Sequence, residues 1–247
     1  MNAMTLVFSK REIGAIVLGS LAVALTIAFD DSRKVFVLSF WLSNYAITFV
    51  LTLVALSLFA LLSKYAAHRL QIDLRVEVWR IRRLLLRKKV GKKNLYFGVL
   101  LPVLIAFVTL GKVPFGASLQ YTLETEPAKR MGRKFVHVTD FEQATIAVAG
   151  SICLMVIAIL LKLFPFFSLA DRFITILRVV SVSSLLPLPN LNGLRAYLGS
   201  THLYLFAVVL VVLSAVLINL VASLVLVVIL LFFALFMVIL RYWYVMK

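Results

Sequence analysis

Few side chains in this sequence have the type and spacing that chemistry needs. The histidines, His68, His137 and His202, are widely scattered. A zinc hydrolase built on one helix would carry H-E-x-x-H, which sets two ligands on one face with a glutamate base beside them. No such run occurs, so each histidine reads as structural or interfacial. Cys153 is the single cysteine and sits in an apolar run, where it has no partner for an internal disulfide. Glycine-rich phosphate loops and nucleophile elbows are absent. Carboxylates inside the apolar runs, the usual mark of an ion or proton pathway, are missing. Arg178 is the one strong candidate for a charge within such a run, and it reads as snorkelling or as lying outside the core. Two stretches then stand out. SSLLPLPNLNG (Ser183–Gly193) is a rigid, polar knot in a greasy chain. The segment from Lys64 to Lys93 carries eleven of the 26 Lys and Arg.

The elements that must position these residues are membrane helices. The chain is 63% hydrophobic, with a mean hydropathy of +1.07. Its longer apolar runs match the roughly 20 helical residues that a hydrocarbon core of about 30 Å requires, and they lack the alternation of barrel strands. Spans are expected near 13–29, 35–63, 95–111 and 144–161. A shorter run at 173–186 reads as re-entrant or interfacial. A run at 203–240 is too long for one crossing, so Asn219 near its middle suggests a tight hairpin of two helices. The formal charge of +16 fits cytoplasmic loops under the positive-inside rule, which places the N-terminus and the basic segment 64–93 in the cytoplasm. The chain's start reads as no cleaved signal peptide, because Met1–Phe8 lacks a basic region.

Three stretches read as strands. Gln71–Arg80 alternates Ile72, Leu74, Val76 and Val78 with Asp73, Arg75 and Glu77, the pattern of a half-buried strand. Leu119–Glu124 and Lys134–Val138 are weaker candidates. Thr139–Glu142 is a capping-box pattern that opens the helix through Ala144–Leu161. That helix is expected to return toward the cytoplasm. The fold class is therefore an all-α polytopic membrane protein, one domain over residues 1–247, with about five or six transmembrane helices and a small membrane-associated β-sheet.

A family resemblance runs through these pieces in order. LLPLPNLNG (Leu185–Gly193) resembles the N-L-L-P-x-P-x-L-D-G motif of intramembrane site-2 proteases, whose aspartate is the third zinc ligand. IAVAGSICL (Ile146–Leu154) is similar to their A-G-P-x-x-N helix, with Ala149 and Gly150 in the A-G positions. Phe8–Phe29 resembles the opening of archaeal members, and Ala67–Trp79 resembles the segment after the zinc-binding helix, without its glycine turn. Pro187, Pro189 and Gly193 complete the motif frame. The resemblance implies an H-E-x-x-H at Phe59–Ser63, where the residues are FALLS. Phe59 stands for the first histidine, Ala60 for the glutamate base, Ser63 for the second histidine and Asn192 for the aspartate. Leu154, Ser151 and Ser184 replace further motif residues.

A zinc hydrolase needs about three protein ligands and an open position for water. Phenylalanine cannot ligate and alanine cannot accept a proton. The resemblance therefore implies a pseudoprotease, with no metal, no cofactor and no enzymatic activity. It would act as a non-catalytic subunit or scaffold of a membrane complex, or as a binder of membrane segments, with Asn192 hydrogen-bonding to backbone. In active relatives the substrate binds extended along a strand edge, for which Ile72–Val78 is the first candidate here. Two other classes compete. One is an active metalloprotease with unrecognised ligands, drawn from His68, His137, His202 or carboxylates. The other is a transporter or channel component. Expected partners are the lipid bilayer and other membrane subunits. Arg80, Arg82, Arg83, Arg87, Lys88, Lys89, Lys92 and Lys93 form a candidate set for anionic lipids or partner loops. Nucleic acid is not expected, because the block has no aromatic stacking platform.

Overall fold

The computed structural model describes residues 8–29, 37–81, 96–124, 137–164 and 168–220. Its elements are α1 (Lys10–Ala28), α2 (Leu38–Arg69), β1 (Asp73–Val78), α3 (Phe97–Thr109), β2 (Leu119–Glu124), α4 (Asp140–Leu163), α5 (Ala170–Ser184), α6 (Asn192–Gly199) and α7 (Thr201–Leu220). Four of these, α1, α2, α4 and α7, are long and apolar enough to cross a membrane. The run at 95–111 folds as a helix of only 13 residues. The second half of the 203–240 run lies outside the described residues, and with it the expected hairpin.

Local chemistry sets the helix starts. Thr139 and Glu142 form the expected capping box: the Thr139 hydroxyl accepts from the Glu142 amide, and the Glu142 carboxylate accepts from the Thr139 amide. Ser9 and Glu12 form a second one at α1. Each box satisfies two amide donors that a helix start leaves open. α2 continues beyond its apolar run because Lys64 is not a surface residue. Its Nζ lies 2.8 Å from Glu12 Oε1 and 2.9 Å from Oε2, and both residues are buried.

The helices run back and forth. Lys64 of α2 meets Glu12 of α1, while Tyr45 donates to the Leu21 carbonyl at 3.2 Å, so α1 and α2 are antiparallel. Ser184 at the end of α5 meets Ser151, midway along α4, so α5 turns back along α4. Arg172 at the start of α5 reaches Asn44 at the start of α2. α4 therefore starts at the end of the bundle where α1 starts and α2 finishes. This corrects the expectation that α4 is the returning helix: the half-length α5 makes the return. α6 continues it, since Gly199 packs on the Asp140 carbonyl.

β1 and β2 form the expected small sheet, antiparallel, with Val76 opposite Tyr121. β1 shows the predicted alternation, with Leu74, Val76 and Val78 buried. In the third candidate, Lys134–Val138, His137 and Val138 are not in a strand, and the remainder lies outside the described residues. Ahead of β2, the extended stretch Phe115–Ser118 is wedged between α1 and α5. Thr26 donates to the Phe115 carbonyl at 3.3 Å, and the Gly116 amide donates to Ser183 Oγ at 3.0 Å. Gly116 is required there, because a Cβ would meet the Val180 backbone at 2.8 Å. Non-helical backbone at membrane depth is tolerated where protein buries it, and residues 115–118 are all buried.

Candidate functional site

The knot is anchored to three parts of the fold. Ser184 at the end of α5 donates to the Ser181 carbonyl at 2.9 Å. Its single proton is then used, so the 2.6 Å contact with Ser151 is a bond donated by Ser151. This fixes the knot to α4. Trp79, just after β1, donates its Nε1–H to the Pro189 carbonyl at 2.8 Å. Asn190 adopts a left-handed conformation (φ 63°), which asparagine tolerates better than most residues, and its Nδ2 donates to the Arg80 carbonyl at 3.0 Å. Tyr204 of α7 closes the set by donating to the Leu185 carbonyl at 3.2 Å. The knot thus ties α4, the exit of the sheet and α7 together.

Pro187 and Pro189 are exposed, so they act through backbone stiffness and not through packing. Leu191 is fully buried in a cluster with Trp79, Phe115 and Ala117. Gly193 leaves no room for a side chain against the Leu185 and Leu186 carbonyls.

Phe59, Ala60 and Ser63 are all buried on α2. Phe59 and Ser63 face Gly150: a Cβ there would lie 2.5 Å from Ser63 Oγ and 2.8 Å from Phe59 Cε2. Gly150 and Ser151 are neighbours on one turn of α4. That turn therefore meets the α2 positions through Gly150 and the knot through Ser151. Ala149 beside them is half-buried. Asn192 opens α6 and is fully buried. Neither its Oδ1 nor its Nδ2 has a hydrogen-bond partner among the described residues, and the same holds for Ser63 Oγ. The expected backbone bond of Asn192 is therefore not made among the described residues.

Chemically, the α2–α4 contact is closed and apolar with Ser63 Oγ stranded in it, and Asn192 is a second stranded group at the start of α6. The Phe59 ring occupies the side of Gly150 and offers no lone pair to a metal. Among the described residues, no group of three His, Cys, Asp or Glu stands close enough together to hold a metal ion. His68, His137 and His202 are all exposed, on α2, ahead of α4 and on α7.

The strand edges are unequal. Val76 N–H donates to Glu12 Oε1 at 3.0 Å, so it points away from β2. Val76 and Tyr121 are then a non-bonded pair, and the outward backbone groups of β2 are those of Leu119, Tyr121 and Leu123. No backbone bond from these amides is made among the described residues. Tyr121 is buried with Arg195 5.3 Å from its ring, and burial pushes its hydroxyl well above the ordinary tyrosine range.

Of the basic set, only Arg80 is described. It pairs with Glu77 and lies 5.8 Å from the Tyr96 ring. Arg82, Arg83, Arg87, Lys88, Lys89, Lys92 and Lys93 lie outside the described residues. Arg178 donates to Asn219 Oδ1 at 2.6 Å. The buried Glu12–Lys64 pair was missed in the sequence, although the S-x-x-E run at Ser9–Glu12 was its visible half. No protein-family model matches the chain, and no curated protein or solved structure matches it either.

Proposed function

We propose that this protein is an integral membrane protein of site-2 protease-like architecture that has no catalytic centre and serves as a non-catalytic subunit or scaffold. One observation carries the reading. The turn Gly150–Ser151 of α4 touches Phe59 and Ser63 of FALLS through Gly150 and the first residues of the knot, at Ser184, through Ser151. The motif alignment requires those segments to approach each other, and its ligand and base positions are held by Phe59, Ala60, Ser63 and, within the knot, Asn192. A side chain set of that kind supplies neither zinc ligands nor a general base.

The holding function would use the sheet. Among the described residues, Glu12 bonds the outward amide of Val76 on β1, and on the outward side of β2 Leu119 and Tyr121 are buried while Leu123 is half-buried, so an extended membrane segment would pair at Leu123. Backbone pairing there is the β-augmentation mode.

The test is metal content and cleavage. Full-length protein purified from zinc-supplemented cells should contain less than about 0.1 zinc per chain, far below the one ion that a three-ligand site retains. It should leave a reporter transmembrane segment intact. Stoichiometric, chelator-sensitive zinc with cleavage would replace this reading with that of an active protease.

A further inference from the structure

We infer that Arg178 and Asn219 form a receptor for the phosphate of a membrane lipid, in the crevice between α5 and α7. Arg178 projects from α5, and its NH1 donates to Asn219 Oδ1 at 2.6 Å. A guanidinium keeps its charge at any accessible pH and carries five donors. Among the described residues no carboxylate pairs with Arg178, and its Nε is buried without a partner. The chain has only ten Asp and Glu against 26 Lys and Arg. Asp171, the carboxylate on the same helix, lies about 10 Å away along the axis. The charge is left with a neutral amide as its partner.

The amide orientation completes the receptor. Because Oδ1 faces the donating guanidinium, Nδ2 of Asn219 stays a donor outside that bond. Two kinds of N–H donor, guanidinium and amide, thus stand on bonded neighbours, and Asn219 is open to the surroundings. Such a pair suits an oxyanion with two acceptor oxygens.

Position selects the lipid. Asn219 is near the far end of α7 (Thr201–Leu220), about 27 Å from its start, against a hydrocarbon core of about 30 Å. On α5, Arg178 lies about 9 Å beyond Arg172, which bonds Asn44 at the start of α2. The stacked pair Trp41 and Tyr45 sits at that same end, as interface aromatics do. Arg178 is thus within a side chain's reach of one headgroup layer, where phosphodiesters are plentiful. The site is separate from the basic segment after β1, and it depends on the membrane placement alone, not on the protease-like frame.

The test uses the full-length protein, delipidated in detergent, with native mass spectrometry of bound phosphatidylglycerol. The tightest lipid site should weaken about fivefold or more in Arg178→Gln, which matches the loss of one near-surface charge. Arg178→Lys should recover part of it, and Asn219→Leu should weaken it less than Arg178→Gln does. Arg172→Gln should leave it unchanged. Circular dichroism melting confirms that each variant is folded. Equal lipid affinity in wild type and Arg178→Gln overturns the inference. So does an equal loss in Arg172→Gln, which would mark a diffuse charge effect. Full displacement of the lipid by millimolar inorganic phosphate would assign the site to free phosphate instead, and would also overturn it.

Discussion

Residues at one turn of α4, and Asn192 at the start of α6, carry different energetic meanings. Gly150 is there because α2 is close. Gly150→Val should destabilise the protein by about 1–3 kcal/mol, the usual cost of overpacking, as its branches would drive into the Phe59 ring and Ser63 Oγ. Ser151 and Ser184 form a buried bond. Ser184→Ala should cost about 1–2 kcal/mol by stranding the Ser151 hydroxyl, Ser151→Ala should cost less because Ser184 keeps its bond to the Ser181 carbonyl, and the double change should cost less than the sum. Asn192 is the opposite case. It is buried with both polar atoms unpartnered, and a buried amide without bonds costs roughly 1–3 kcal/mol. Asn192→Leu should therefore hold or raise the melting temperature. A large drop would mean that a bound group satisfies the amide in the native protein.

At the scale of elements, legibility followed the length and strength of the local pattern. The helix starts at Thr139 and the strand at Asp73–Val78 were readable because capping and alternation are local codes. The direction of α4 was not. Counting crossings assumes that every apolar run spans, and α3 and α5 are too short to count. The proline knot could be recognised from its residues, but its main bonds, Trp79 to Pro189 and Asn190 to Arg80, join positions over a hundred residues apart. No spacing rule foretells those. The buried Lys64–Glu12 pair belongs here too, since it locks α1, α2 and β1 together. Removing one partner of a buried ion pair costs about 3–5 kcal/mol. Lys64→Met should lower stability by that order in a denaturant titration, and Glu12→Gln/Lys64→Met should recover much of it. Equal stability of Lys64→Met and wild type would show that the pair locks nothing.

The molecule as a whole joins a helical bundle, a short sheet inserted beside it and a knot that pins the two. The extended stretch Phe115–Ser118 between α1 and α5 makes the sheet part of the bundle's interior. A scaffold needs that rigidity, and a zinc protease needs something further, an open ligand set at the contact between α2 and the knot. The most direct measurement restores that set. The full-length variant Phe59→His, Ala60→Glu, Ser63→His, Asn192→Asp is purified with zinc, its fold confirmed by its melting curve, and its metal counted by mass spectrometry beside wild type. A protease-like frame that has lost only its ligands predicts about one zinc per chain in the variant and less than about 0.1 in wild type. Zinc held by wild type, or a folded variant that holds none, would contradict it.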